Sequence, residues 1–380
     1  MTAPCRARFV RVSFVFRSYV GYVFSTAPGP PRWHHTASAP TTFSTRPMTT
    51  HRRRFAPQLL KTTLAAFAVL AGLAAPLAAQ AQAWPSKGPI KLVAVFPPGG
   101  SVDQVSRILA PVLQQQLGQT VIVENKGGAS GSIGAGQVAA AAPDGYTFAV
   151  VFDSHAVNPA LQPNLPFDSR KDLTTVAMLG TSPMVLATHA DTPYKTFADV
   201  VAAVKAGKNV SYGTIGNGSL GHLAMTLLAK GNDFDLTHVP YRGGGPLMQD
   251  AIAGHVPLAI GSIFVTKPHI DSGRLRPLVV TTNQRSTQLP NVPTLAESGY
   301  AGFNAPAWWA VLAPGKTPPE IVARMNAEIN KALQQPDVAA KLAAQGIVVN
   351  LGTPAAGQAF VEGQIDVWAR VVKANNIKAD

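Results

Sequence analysis

The sequence predicts an α/β protein of two lobes, and three observations carry that prediction. Short apolar runs alternate with amphipathic helical patterns throughout the region after residue 83. Several of those runs end in glycine-rich loops that lead directly into a helical pattern. The region itself, residues 84–380, is 297 residues long, which suits two α/β lobes better than one small domain.

The elements follow in order. Ile90 to Phe96 is a mostly apolar run closed by Pro97-Pro98-Gly99-Gly100, as expected of a buried parallel strand entering a loop. Val102, Val105, Ile108, Leu109, Val112 and Leu113 then recur at helical spacing, with Gly118 as the stop. Thr120 to Val123 reads as the next strand, and Pro143-Asp144-Gly145 turns the chain into a third at Tyr146 to Val151. The alternation continues through Leu258-Ala259-Ile260 and Leu278-Val279-Val280. A helix opening at Pro318-Pro319 carries Ile321, Val322, Met325, Ile329 and Leu333 on one face, and a last helix carries Val361, Ile365, Trp368 and Val372. Such repetition predicts largely parallel sheets flanked by helices. There is no flexible tether in the sequence, so the chain is expected to pass between lobes directly.

The charge is concentrated at the front. The whole chain has a formal net charge of +13, but residues 1–83 hold ten basic residues and no acid, leaving 22 basic against 19 acidic residues afterwards. The basic excess therefore belongs to a leader and is no argument for nucleic acid as a partner. Met48, Arg52-Arg53-Arg54, the apolar stretch Leu64 to Leu73 and Ala81-Gln82-Ala83 have the layout of a secretory signal, with cleavage expected after Ala83 and export to the periplasm. Residues 1–47 precede a complete signal and read as a start assigned too far upstream. Cys5 is the only cysteine, so the region after 83 has no disulfide, thiolate metal site or Cys nucleophile.

Four glycine-bearing segments hold the candidate chemistry. Phe96 to Asp103 feeds a strand through Gly99-Gly100 into a helix, which presents backbone N–H groups and the positive helix end without Lys or Arg. Its structural alternative is an ordinary strand-to-helix turn with Ser101 as cap and Asp103 as a first-turn acid. Asn125 to Gly136 contains Gly134-Ala135-Gly136-Gln137-Val138-Ala139, a loose fit to a dinucleotide fingerprint, but Gly134 stands 11 residues past Val123 and not in the immediate turn. A structural loop is the better reading there. Gly216 to His222 is the matching candidate further on, in which Ser219 is no nucleophile elbow because Asn217 stands where that motif needs glycine. Tyr241 to Pro246 adds an aromatic, a cation and exposed backbone, and Arg242 serves equally well as a carboxylate clamp or as a structural partner for Asp250. Asp153 to Pro159 adds short polar groups after a strand end. The six histidines after residue 83 lack metal-ligand spacing, there is no phosphate-binding loop, and neither a metal nor a cofactor is expected.

In these segments the chain resembles the substrate-binding proteins of tripartite tricarboxylate transporters, the TctC or Bug family. The resemblance is carried in order by Pro97 to Asp103, Glu124 to Gly131, Pro143 to Thr147, Asn158-Pro159 with Leu165 to Asp168, Gly216 to Leu223, Val239 to Pro246, Leu289 to Gly299, and Trp309 with Ala313 to Pro318. It implies an α/β, two-lobed periplasmic-binding (Venus flytrap) fold, type II-like, with two crossover strands. The lobes implied are 84–187 plus 305–380, and 188–304. It further implies that Pro98, Gly99, Gly100, Ser101, Asp103, Ser154 and His155 face Gly216, Gly218, Ser219, His222 and Tyr241 across a cleft. The implied ligand is a small carboxylate or amino acid held by backbone amides and water. The implied partner is a two-component membrane permease in some members, and a monomer is expected. Two other readings stand beside it: an exported hydrolase using Ser219 and His222, and a module presenting its ligand to a sensor kinase.

Overall fold

The computed structural model describes residues 84–378 apart from residue 233. The expected upstream segment 1–47, the signal 48–83 and its cleavage site lie outside the described residues. In chain order the first lobe opens with β1 (Ile90–Ala94), α1 (Ser101–Leu117), β2 (Val121–Asn125), α2 (Ser132–Ala139), β3 (Thr147–Phe152), α3 (Ser154–Leu161) and β4 (Leu173–Ser182). The second holds β5 (Met184–His189), α4 (Phe197–Lys205), β6 (Ser211–Thr214), α5 (Leu220–Asn232), β7 (Thr237–Pro240), α6 (Gly244–Ile252), β8 (Leu258–Ser262), α7 (Ile263–Asp271) and β9 (Leu275–Val280). The chain then returns to the first through β10 (Ala307–Pro314), α8 (Pro319–Leu333), α9 (Pro336–Ala344), β11 (Val348–Val349) and α10 (Pro354–Ala374).

The helices form where the apolar spacing predicts them. α1 buries Val102, Val105, Leu109 and Leu113, and Gly118 ends it with a left-handed φ of 64° while its N–H bonds to the Gln114 carbonyl. α8 buries Val322, Met325, Ile329 and Leu333, and α10 buries Val361, Ile365, Trp368 and Val372.

Strand order is β11-β4-β10-β3-β1-β2 in one sheet and β7-β6-β8-β5-β9 in the other. β1 runs parallel to β2 and β3, and β6 runs parallel to β7 and β8. Besides the two-residue edge strand β11, antiparallel to β4, two strands depart from the expected parallel pattern: β10 and β5, each antiparallel to both its neighbours. The cause is topological. Each is the strand by which the chain enters a sheet from the other lobe, so it starts at the cleft edge where the parallel strands end. Helices crossing back over each sheet return the chain to the far edge, and the parallel strands therefore all deliver their C-terminal loops to the cleft.

The lobe change also lies elsewhere than the sequence placed it. The chain leaves the first sheet at Ser182 and enters the second at Met184, so all of β5 belongs to the second sheet, whereas the implied boundary at 187/188 falls inside that strand. A single residue, Pro183, separates the two strands, and no change of composition marks the passage. The return segment, 281–306, is longer and is tied to β5 by the Thr281 N–H bond to the Met184 carbonyl. β10 is buried along its whole length. Its Trp309 tilts against Phe152 of the first lobe at 5.0 Å and Phe264 of the second at 6.2 Å, so one ring packs on both lobes.

Candidate functional site

The first loop is held open by its own lobe. Gly99 takes a left-handed φ of 83° and donates its N–H to Asp103 Oδ2 at 3.0 Å. Asp103 Oδ1 accepts from Arg107 Nε at 2.9 Å and Asn125 Nδ2 at 3.0 Å. Asp103 was expected to face the ligand; its carboxylate is instead spent on fixing the loop's shape. Ser101 is buried and its hydroxyl accepts the Trp309 indole N–H at 3.3 Å. With Gly100 extended at φ −81° and no side chain capping α1, the amides of Gly100, Ser101 and Val102 meet no acceptor among the described residues. Pro98 and Gly99 stand exposed at the rim.

The second glycine loop serves the first. Ala129 and Ser130 have positive φ values of 46° and 51°, and the Ser130 carbonyl accepts from Ser154 Oγ at 2.9 Å and Asn158 Nδ2 at 3.1 Å. Ser154 thus orients this loop. The Ser130 hydroxyl, which sequence reasoning missed, bonds across the cleft to the Asn217 carbonyl. Glycines on both sides were the only signal for it. A Cβ at Gly134 would lie 2.6 Å from the Lys126 carbonyl, so the glycines resembling a dinucleotide fingerprint serve close helix packing. His155 is buried and stacks on Phe167 with ring centroids 6.3 Å apart. Neither of its ring nitrogens has a partner among the described residues, and burial lowers its pKa to about 4.

On the second lobe Gly216 and Gly218 adopt φ of 132° and 72°. Gly218 donates its N–H to His222 Nδ1 at 3.2 Å, and the His222 N–H bonds to Ser219 Oγ at 3.3 Å. The Ser219 hydroxyl therefore meets the backbone of His222 and not its ring, which lies stacked on His238 at 4.1 Å. Tyr241 turns its hydroxyl to Asp250 Oδ2 at 2.9 Å, and burial together with that carboxylate pushes its pKa up to about 12. Of the two roles open to Arg242, the pair with Asp250 does not form: Asp250 is engaged by Tyr241 and His255, and Arg242 is exposed with no partner among the described residues.

The two lobes meet backbone to backbone. A Cβ on Gly245 would lie 2.9 Å from the Pro98 carbonyl, and one on Gly100 would lie 3.6 Å from the Gly244 amide. Between them is a cavity of about 20 Å³, room for one water-sized body, bounded by Gly100, Ser101, Ile215, Gly244 and Ser262 among others. Three helices begin on it: α1 from the first lobe, α6 and α7 from the second. None has a side-chain cap. No Lys, Arg, Asp or Glu lines the cavity. Positive charge there comes from helix ends alone. A larger hollow of about 810 Å³ lies within the second lobe between α4 and Tyr300, but the one helix start on it is already satisfied, Thr196 and Asp199 forming a capping box. The small cavity is the better candidate despite its size.

The sequence model of the family described as "Tripartite tricarboxylate transporter family receptor" matches residues 105–377. The chain belongs to this receptor family. The receptor is 38% identical to Protein BugT of Bordetella pertussis over 315 residues, covering 82% of this chain and 96% of that one. Among solved structures it is similar to the periplasmic binding protein BugD, with a TM-score of 0.74 at 32% identity, covering 78% of this chain and 100% of that one. MatC from Rhodopseudomonas palustris with bound malate gives a TM-score of 0.72 at 32% identity, with 76% and 100% covered. A second R. palustris protein, solved with adipate, gives 0.74 at 33% identity, with 78% and 99% covered. The receptor thus has the two-lobed periplasmic-binding fold.

Proposed function

We propose that this receptor captures a small organic carboxylate or amino acid in the periplasm and hands it to a two-component membrane permease, acting as a monomer without cofactor. The observation that carries the reading is the convergence of the uncapped starts of α1, α6 and α7 on one interlobe cavity that no charged side chain lines. A carboxylate satisfies such amides directly, and a low-dielectric surround makes each of those bonds count for more. The malate and adipate of the two R. palustris neighbours are ligands of that class.

Binding then proceeds by hinge motion. A cavity of about 20 Å³ holds no dicarboxylate, so the lobes part to admit one. The carboxylate first meets the amides of Gly100 to Val102, preset by Asp103. Closure about the Pro183 and 281–306 passages brings the starts of α6 and α7 onto its other side. Hydrolysis at Ser219 is disfavoured, because its hydroxyl accepts from the His222 backbone N–H while His222 Nδ1 accepts from the Gly218 N–H. Thermal unfolding against a panel of carboxylates and amino acids tests the reading. A cognate ligand at 100 times its Kd raises Tm by about 5 °C with no turnover. Steady product release from an ester or amide, or no shift with any compound, overturns it.

A further inference from the structure

Asp153 is an acidic residue beside the cleft that the reading above does not use, and the buried Ser262 and His155 are likewise unused. It follows β3, directly after Phe152, which lines the cavity, and it starts α3. Its side chain is fully buried, and among the described residues neither carboxyl oxygen has a hydrogen-bond partner. The backbone N–H groups of Ser154, in its own lobe, and Leu220, at the start of α5 in the opposite lobe, face it without completing a bond. Parting the lobes therefore uncovers this carboxyl, and closing them buries it at the seam. Burial dominates its protonation, holding its pKa well above the ordinary carboxylate range. A buried polar group left unsatisfied costs stability, and a cleft that closes over one is missing a partner.

The chemistry of that partner is constrained. A carboxyl keeps an acceptor oxygen whether ionised or protonated, so a ligand donor satisfies it in either state. The amides at the starts of α1 and α6 are donors themselves and call for the ligand's carboxylate, while the Ile263 N–H at the start of α7 is already given to the Pro183 carbonyl. The ligand must then present both an acceptor end and a donor substituent. We propose that Asp153 is a specificity-determining residue that selects carboxylates bearing a hydrogen-bond donor, a hydroxyl or an ammonium, over bare diacids. This rests on the receptor reading above and narrows it.

Titration calorimetry on the mature protein with two matched series tests it. The series are succinate, malate and aspartate, and glutarate, 2-hydroxyglutarate and glutamate. In at least one series a donor-bearing member binds at least about ten-fold tighter than the bare diacid. Asp153→Leu brings that ratio to within about two-fold, because the apolar isostere has no acceptor. Asp153→Asn keeps an acceptor without the charge, so it retains a preference for a hydroxy acid and loses one for an ammonium. Neither variant lowers Tm without ligand, since an unpaired buried carboxyl contributes no stability. A ratio unchanged in Asp153→Leu, a bare diacid preferred in the wild type, or a lowered Tm in both variants overturns the proposal while leaving the receptor reading standing. Absence of binding by all six compounds overturns the proposal, and the receptor reading is then decided by the thermal panel alone.

Discussion

The helix starts in the second lobe are of two kinds, and their difference underlies the ligand site proposed above. α4 is closed by its own sequence: Thr196 accepts the Asp199 N–H, and Asp199 Oδ2 accepts the Thr196 N–H at 2.8 Å. Nothing remains there for a ligand to satisfy. α6 and α7, like α1 in the first lobe, have no such cap, and all three begin on the interlobe cavity. A helix end left open on a solvent-exposed face is satisfied by water. Here α1 and α6 leave first-turn amides without an acceptor among the described residues, while Ile263 of α7 donates to the Pro183 carbonyl, and on this convergence the proposed site rests. The large hollow beside α4 fails as a site for the same reason.

The sharpest way to break this comparison is to keep the cleft from closing. A Cβ at Gly245 meets the Pro98 carbonyl of the opposite lobe, so Gly245→Leu is expected to weaken carboxylate binding about 100-fold, about 3 kcal/mol, with Tm nearly unchanged. Full affinity in calorimetry would show that the cleft starts are not brought together by the ligand. Next in size is acid sensitivity. His155 is buried at the start of α3, with its pKa lowered to about 4 from the ordinary 6.5. The unfolded chain takes up a proton below 6.5 that the folded one refuses, so stability falls as pH drops from 6.5 towards 4, by about 3 kcal/mol in all. His155→Gln should remove that share of the slope; Tm curves that fall in parallel from pH 7 to 5 would refute it.

Asp103→Asn comes third. It leaves a neutral amide among the donors Gly99, Arg107 and Asn125, and is expected to cost about 1–2 kcal/mol of stability and about ten-fold in affinity. Unchanged affinity would mean that the loop keeps its shape unaided. The smallest effect belongs to the capped helix. Thr196→Ala should cost about 1 kcal/mol, a Tm drop of about 2–3 °C, with binding within about two-fold of wild type. A ligand-dependent loss there would erase the distinction between the two kinds of helix start.

Much of this was legible before the structure. The runs at 90–96, 120–123 and 146–151 became β1, β2 and β3 within a residue or two, since buried parallel strands announce themselves as apolar runs. The Gly99-Gly100 and Gly216–Gly218 loops were marked by composition, and Gly99, Gly216 and Gly218 take positive φ values. Side-chain assignments were harder. Asp103, Ser154 and Tyr241 stand beside the loops as their positions suggested, yet each has its polar atoms on protein partners. Spacing gives a residue's place on a helix or loop, but not which of several donors it reaches. Asp153 was noticed only as one of several short polar groups, because orphan status exists only once every neighbour is in place.

The sequence by itself determined the α/β class, the helix faces and the loops where backbone would be exposed, because these follow from local periodicity and from glycine's freedom near the strand ends. Tertiary structure alone decided three things. It set the reversed direction of β5 and β10, it placed the passage between lobes at Pro183, and it brought Pro98 to Gly100 against Gly243 to Gly245. The physical reason is that these depend on contacts between segments about 145 residues apart or on the path between two sheets. No local preference of a strand or a turn encodes which partner it will meet.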